Sequence, residues 1–157
     1  MAVKPIPEGY HSVTPYLIVS GAAAALDFYK KAFGATELFR MPMPDGKIGH
    51  AEIRIGDSYI MLADEPQDEI HRQIGYKAPK SLGGTTTGIM LYVEDVDAMA
   101  KQAVAAGAKE VHPVVDQFYG DRSGTFVDPF GHVWTIGTHK EDVSSEEMER
   151  RVSQQNH

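Results

Sequence analysis

The sequence predicts an α+β protein that is built from two βαβββ modules. Residues 17–35 read LIVSGAAAALDFYKKAFGA, and residues 91–108 read LYVEDVDAMAKQAVAAGA. Each stretch begins as a short apolar strand, continues as a helix and ends at Gly-Ala, and strand-like runs follow each of them. A unit that occurs twice in one chain indicates two similar modules that share a core.

Both helices carry an apolar stripe at helical spacing, which predicts that one face of each is buried. In the first helix the stripe consists of Ala25, Leu26, Phe28, Tyr29, Ala32 and Phe33. In the second it consists of Val96, Met99, Ala103 and Ala106. Asp95 is predicted to cap the second helix, and Gly34 and Gly107 are predicted to end the two helices in the left-handed conformation.

Three predicted strands follow each helix. In the first module they are Thr36–Met43, Ile48–Ile55 and Ser58–Ala63, and in the second they are Glu110–Val115, Gly124–Val127 and His132–Thr138. Alternation along the strands assigns one set of side chains to the helix side, namely Ala51, Ile53, Ile55, Trp134 and Ile136. The residues left for the opposite face are His50, Glu52, Arg54, Val133 and Thr135.

These elements divide the chain into five segments. We expect a flexible N-terminus at residues 1–9, the first module at 10–64, a connecting loop at 65–85 and the second module at 86–139. Residues 140–157 are predicted to be a polar tail that is partly helical, because Ser144 and Glu147 have capping-box spacing.

Composition narrows the function classes. The net charge of −7 and the pI near 5.4 argue against nucleic acid as a partner, because phosphate binding needs a basic surface. The sequence contains no apolar run of membrane-spanning length and no signal-peptide pattern in residues 1–9, so we expect a cytoplasmic protein without a membrane partner. The absence of cysteine excludes disulfides, thiolate zinc sites and cysteine nucleophiles.

The order of several motifs over residues 10–139 carries a resemblance to a known family. The motifs are TPYL at 14–17, ALDFY at 25–29, HAEIRIGD at 50–57, YVEDVD at 92–97, FYGDR at 118–122 and DPFGHVW at 128–134. This series resembles the vicinal oxygen chelate superfamily, which comprises glyoxalase, bleomycin-resistance and dioxygenase proteins, and in particular its PhnB-like group. The resemblance implies two curved mixed sheets around a cavity, with the helices outside and the cavity commonly shared in a homodimer.

Metal-using members of this superfamily take ligands from the first and last strands of each module. In this chain the resemblance places those positions at Thr14, Gly88 and Thr135, with the fourth near Leu62 or, after a two-residue shift, at Asp64. A divalent ion normally needs about three His, Asp or Glu donors. We therefore predict no metal at the usual positions and no cofactor.

A relocated site is the alternative. His50 and Glu52 share a strand face and Asp64 is expected on the neighbouring strand, so the three could bind a divalent metal such as zinc; His50 and Glu52 could also act as an acid–base pair or form a hydrogen-bonded cluster. His132 and His139, with Asp128, also suggest metal ligands, but the Asp-Pro-Phe-Gly sequence favours a hairpin turn. The remaining histidines, His11, His71, His112 and His157, are expected at the surface.

The inward faces implied by the resemblance predict a ligand-binding cavity. The predicted lining residues are Thr14, Tyr16, Leu62, Met90, Tyr92, Phe118, Tyr119 and Thr135, and Phe39, Met41 and Met43 could add to them. Aromatic and methionine walls with a few hydroxyls suit a planar or amphipathic organic ligand.

Three functions remain open. The favoured hypothesis is a metal-independent, homodimeric small-molecule-binding protein that sequesters a toxic or antibiotic-like compound. The first alternative is a glyoxalase- or dioxygenase-like enzyme (lyase, isomerase or oxygenase) that uses the relocated metal or a histidine acid–base. The second alternative is a protein-interaction module.

Overall fold

The computed structural model describes residues 3–155 and contains both predicted modules. The first module consists of β1 (Tyr16–Val19), α1 (Ala22–Phe33), β2 (Thr36–Pro42), β3 (Ile48–Ile55) and β4 (Ser58–Asp64). The second consists of β5 (Gly88–Tyr92), α4 (Val96–Ala106), β6 (Lys109–Asp116), β7 (Asp121–Val127) and β8 (Val133–His139). The predicted α+β fold of two βαβββ modules is therefore confirmed.

Each module forms its own four-stranded mixed sheet. The strand orders are β1-β4-β3-β2 and β5-β8-β7-β6, and in each sheet the first pair is parallel while the others are antiparallel. β1 and β5 occupy equivalent places, because each is joined by hydrogen bonds to the last strand of its module. This equivalence is the structural form of the repeat in the sequence.

The segment between the modules contains two short helices, α2 (Glu69–Gln73) and α3 (Pro79–Leu82). The sequence predicted a loop here, because the segment is rich in proline, glycine, lysine and acidic residues. After the second module, α5 (Ser145–Gln155) forms the predicted tail helix, and the Glu147 backbone N–H donates to Ser144 Oγ at 3.2 Å. Residues 1–2 and 156–157 lie outside the described part of the chain, and His157 is among them.

Local sequence signals explain where the two long helices begin and end. Asp95 caps α4 by accepting from the Ala98 N–H at 3.0 Å, as predicted. Gly34 ends α1 with φ 65° and Gly107 ends α4 with φ 122°, positive values that glycine adopts without the steric cost of a Cβ. Within residues 3–155, no helix is long and apolar enough to cross a membrane.

The two modules share one hydrophobic core. α1 and α4 pack together, and the Gln102 side chain donates to the Lys31 and Ala32 carbonyls at the C-terminal end of α1. Tyr29 and Phe33 of α1 contact Trp134 of β8 with ring centroids 5.5 and 4.5 Å apart. The core is therefore built from both halves of the chain, and its helices lie on one side of the sheets.

Candidate functional site

The faces of the sheets that point away from the helices form the candidate binding surface. The predicted helix-facing residues Ala51, Ile53, Ile55, Trp134 and Ile136 are all buried in the core. Strand pairing then assigns the opposite face, which the resemblance implies is the concave one. That face carries Tyr16, Ile18, His50, Glu52, Met61 and Ala63 in the first sheet, and Met90, Tyr92, Thr125 and Thr135 in the second.

A cavity of about 600 Å³ lies over the concave face of the first sheet. Its apolar and aromatic wall comes from β1, β4, the turn after β2 and the connecting segment. It includes Tyr16, Ile18, Met43, Ala63 and Tyr76. Its polar rim includes Asp45, Lys47, Glu65, Asp68 and His71. A pocket of this size with an apolar wall and a polar rim is typical of a small-molecule site.

The connecting segment is fastened over this cavity by Glu65. One oxygen of its carboxylate accepts from the Ala78 N–H at 2.8 Å and from Ser81 Oγ at 2.6 Å. Ala78 is buried in a small cluster with Ile18 and Ala63 of the sheet. The hydrogen bond from Ser81, followed by that from Ala78, lowers the pKa of Glu65, so the ionised form holds the segment in place.

Two further grooves follow the line between β1 and β5. One, of about 960 Å³, is lined by residues 15–18, 75–77, 79, 82–90 and 132, and it shares Tyr16, Ile18 and Tyr76 with the cavity. The other, of about 470 Å³, includes Thr14, Met90 and Tyr92. Four of the predicted lining residues, Thr14, Tyr16, Met90 and Tyr92, therefore lie along these openings.

Tyr16, His50 and Glu52 form a chain of polar contacts. Tyr16 Oη lies 2.8 Å from His50 Nδ1, and His50 Nε2 lies 3.1 Å from Glu52 Oε1. The Tyr10 hydroxyl faces Glu52 outside normal hydrogen-bond geometry, and this contact, followed by that with His50, lowers the pKa of Glu52. Burial, followed by the proximity of Tyr76 and Glu52, raises the pKa of Tyr16. The Tyr16 hydroxyl is thus neutral over the physiological pH range. Of the three residues, Tyr16 is the one that lines the cavity.

The structure engages Asp64 in backbone contacts, and its part in a metal site with His50 and Glu52 stays a prediction. Its Oδ1 accepts from the Gly21 and Ala22 N–H groups at 2.8 and 2.9 Å, and its Oδ2 accepts from the Ile48 N–H at 2.8 Å. The carboxylate therefore caps α1, where the helix dipole favours a negative charge, and fixes the start of β3.

Leu62 is wrong as a lining residue. It pairs with Ala51, whose side chain faces the helix, and it is fully buried in the core. Because side chains alternate along a strand, Met61 and Ala63 share the face opposite to that of Leu62, and Ala63 lines the cavity.

Phe118 and Tyr119, at the turn between β6 and β7, have different surroundings. Phe118 lines a shallow groove with Met148 and Val152 of α5, and its carbonyl accepts from Arg151 Nη1 at 3.0 Å. It therefore contacts the tail helix, and its assignment to the cavity is wrong. Tyr119 Oη lies 3.2 Å from Ser123 Oγ on the concave face of the second sheet. Thr135 lies on the same face, with its Oγ1 3.3 Å from that of Thr125.

The Asp-Pro-Phe-Gly turn and its histidines have structural contacts. Asp128 accepts from Tyr29 Oη and Trp134 Nε1 at 2.7 and 2.9 Å, and from two backbone N–H groups of its own turn. His132 Nε2 donates to the Ile18 carbonyl at 2.9 Å. These contacts join the two modules and agree with the hairpin interpretation.

His139 belongs to a second polar cluster that the sequence did not reveal. Its Nδ1 lies 2.7 Å from Asp121 Oδ1, its Nε2 lies 2.9 Å from Asp142 Oδ1, and Tyr92 Oη donates to Asp121 Oδ2 at 2.7 Å. Asp121 is buried, and its hydrogen bond, followed by that of Asp142, raises the pKa of His139. Only the pairing of β5, β7 and β8 brings these residues together.

The residues at the usual ligand positions do not fit the divalent metal that the resemblance implies for metal-using members. The usual positions offer two threonine hydroxyls, a glycine and a buried leucine. Across residues 3–155, no group of three or more His, Asp or Glu side chains is arranged to hold a metal ion. His50 and Glu52 alone supply fewer donors than a divalent site normally has.

Sequence reasoning also missed Ala63 and Tyr76, which line the cavity. Ala63 could have been found from the alternation of β4, had Ile60 and Leu62 been taken as its helix-facing residues. Tyr76 is an aromatic residue in a polar connection, and its position over the cavity depends on the long-range contacts of Glu65 and Ala78.

The fold and this surface define a class of protein: two βαβββ modules with outer helices and a ligand-sized cavity on the concave side. The sequence profile of the Glyoxalase/Bleomycin resistance protein/Dioxygenase superfamily matches residues 9–136. The chain therefore belongs to that superfamily.

Known relatives agree with this assignment. The Mycobacterium bovis protein Mb0911c, which is uncharacterised, is 44% identical over 146 residues, covering 92% of this chain and 93% of the relative. The crystal structure of TioX from Micromonospora sp. ML1 is similar with a TM-score of 0.62 and 25% identity, covering 85% of this chain and 100% of TioX. A PhnB protein from Bacillus cereus shares the fold with a TM-score of 0.62 and 14% identity, covering 82% of this chain and 99% of that protein.

Proposed function

We propose that the protein binds an amphipathic organic molecule in the cavity beneath the connecting segment and that it needs no divalent metal to do so. The observation that carries this proposal is the cavity of about 600 Å³ with walls from Tyr16, Ile18, Met43, Ala63 and Tyr76. Two aromatic rings and three apolar side chains favour a ligand with a planar or apolar part, and the polar rim favours a polar part.

Binding without a metal is supported by the chemistry of the donor set. The carboxylate of Asp64 is already engaged by three backbone N–H groups, and the contacts of His50 are with Tyr16 and Glu52. We therefore expect purified protein to bind its ligand equally well after treatment with a chelator.

A thermal-unfolding screen tests the proposal. Planar aromatic compounds with one polar group should raise the melting temperature, because a ligand that binds only the folded state stabilises it. The same rise should persist in excess EDTA. A screen in which only metal-loaded protein responds would contradict metal independence, and a screen without any response would contradict the proposal.

Two variants in the connecting segment locate the ligand. Tyr76 lines the cavity, whereas Ile74 is 70% exposed and does not line it. Tyr76→Ala should weaken binding about tenfold or more, since it removes most of a ring contact. Ile74→Ala should leave binding unchanged. Equal effects of the two substitutions would place the ligand elsewhere.

Sequestration of a toxic or antibiotic-like compound is the use that we propose for this binding. The superfamily description includes a resistance protein as well as enzymes. A sequestering protein should protect cells in proportion to its concentration and release the compound unchanged on denaturation.

We also propose a homodimer, because β2 exposes the apolar side chains of Phe39 and Met41. Light scattering that gives the mass of one chain would contradict it.

A second candidate function rests on the contacts of His50. A neutral His50 that donates to Glu52 through Nε2 would accept from the Tyr16 hydroxyl through Nδ1, and Tyr16 could then pass a proton between a ligand and His50. This arrangement favours a metal-free acid–base enzyme. Chemical change of the bound compound that is lost in His50→Gln, while its binding is retained, would establish this candidate over the binder.

A further inference from the structure

The outer edges of the two sheets carry the features that prevent unwanted strand pairing. β2 contains Glu37, Arg40 and Pro42, and its pairing with β3 has register shifts. β6 contains Lys109, Glu110, Pro113 and Asp116, and its pairing with β7 is also irregular. Charges, prolines and bulges are the usual means by which proteins block an exposed strand edge.

The inner edge of β5 has none of these features. Its sequence, GIMLY, has no charge and no proline, and its register with β8 is continuous. Among the described residues, β5 is hydrogen-bonded to β8 alone. All five of its residues are exposed or half-buried, with Met90 at 42% and Tyr92 at 59% exposure.

The equivalent edge of β1 is protected. Leu17, Ile18 and Val19 are buried, and His132 donates to the outward-facing Ile18 carbonyl. α3 also packs on β1. β1 and β5 occupy equivalent places in their sheets, but only the edge of β5 is open. The open edge is therefore a feature of β5 and not of the repeated module.

The groove between β1 and β5 is bordered by runs of consecutive residues. The 960 Å³ part is bordered by the consecutive residues 15–18 and 82–90, and the 470 Å³ part by the consecutive residues 13–15 and 89–92. Side chains of consecutive strand residues point to opposite faces, so a groove that touches all of them follows the strand edge itself.

The hydrogen-bonding groups of that edge can be assigned. The Val93 N–H donates to the Gly137 carbonyl of β8, and alternate residues of a strand direct their backbone groups to the same side. Ile89 and Leu91 therefore face β8 with Val93. Gly88, Met90 and Tyr92 direct their N–H and C=O groups into the groove.

We propose that the free edge of β5 binds the extended backbone of an amide-containing ligand, a peptide of about five residues with uncharged side chains. This inference rests on the proposed function, because the groove adjoins the cavity. It specifies the chemistry of the part of the ligand that extends from the cavity into the groove. The nearby side chains of Pro15 and Leu82 select apolar residues, and the groove offers no run of charges to select others.

The experiment uses the full ¹⁵N-labelled chain and a defined probe, the acetylated and amidated pentapeptide Val-Thr-Val-Thr-Val. Titration to millimolar concentration should shift the amide signals of Gly88, Met90 and Tyr92, and leave those of β2 and β6 unchanged. A probe whose central amide is replaced by an ester should bind about tenfold more weakly, since it lacks one backbone donor. Equal affinity of the two probes, or shifts confined to other strands, would overturn the inference.

A pair of protein variants provides a second readout. Met90→Pro removes an N–H that faces the groove, whereas Met90→Ala keeps it, so only the proline variant should lose about tenfold in affinity for the amide probe. If aromatic compounds stabilise the protein while the peptide probe does not bind, this inference fails and the proposed function stands. If neither binds, both fail.

Discussion

Tyr29 Oη donates a hydrogen bond of 2.7 Å to Asp128 Oδ2, although the two residues lie 99 positions apart in the chain. Tyr29 belongs to α1 of the first module, and Asp128 begins the turn between β7 and β8 of the second. The same carboxylate accepts from Trp134 and from two backbone N–H groups. One buried acid thus holds the interface between the modules.

We predict that Asp128→Ala lowers the free energy of unfolding by about 3–5 kcal/mol, because four buried donors lose their acceptor. Tyr29→Phe is the matched control, since it removes one donor and keeps the ring, and it should cost about 1–2 kcal/mol. Urea unfolding followed by circular dichroism measures both. A cost below about 1 kcal/mol for Asp128→Ala would show that the carboxylate does not hold the interface.

Asp64 provides a test that separates helix capping from metal binding. Asp64→Ala leaves the Gly21, Ala22 and Ile48 N–H groups without their acceptor, and we expect a loss of about 2 kcal/mol in the free energy of unfolding. Elemental analysis should find the same metal content in this variant, in His50→Ala and in the wild type. A stoichiometric metal that disappears in both variants would restore the relocated metal site.

Gly120 fixes the C-terminal segment to the second module. Its φ is +103°, and a Cβ at this position would lie 2.1 Å from the Glu141 carbonyl oxygen. Gly46, with φ +82° and open space around it, is the matched control. Gly46→Ala should cost about 1–2 kcal/mol of unfolding free energy from backbone strain alone. Gly120→Ala should cost about 1–3 kcal/mol more, and equal melting temperatures of the two variants would contradict the contact.

The His139 cluster predicts a pH dependence for the docking of the tail. The folded-state pKa of His139 is raised, first by Asp121 and then by Asp142. Its contribution to stability is therefore fully present below the unfolded value of 6.5 and is lost as the pH rises through the higher folded value. NMR titration of the imidazole should show Asp121→Asn lowering this pKa more than Asp142→Asn. The reverse order would assign the main contact to the tail.

The alternation of apolar residues predicts which face of a strand a side chain occupies, provided that the register of the strand is correct. Ala51, Ile53 and Ile55 were placed correctly on the helix side, because alternation within one strand depends only on neighbouring residues. Leu62 was misplaced because its position was taken from a family register, and a shift of one residue in a strand moves a side chain to the opposite face. Tyr16, Met90 and Tyr92 were placed along the openings, and their part in ligand binding stays a prediction.

The sequence by itself determined the two modules, their order of elements and the scarcity of metal donors at the usual positions. These features follow from periodicity, turn residues and residue chemistry, which act over a few positions. Only the tertiary structure decided that Asp64 caps a helix, that Glu65 fastens residues 65–85 over a cavity, and that the inner edge of β5 is open. Each of these depends on contacts between residues distant in the chain, whose energies are set by which groups the fold brings within hydrogen-bonding distance.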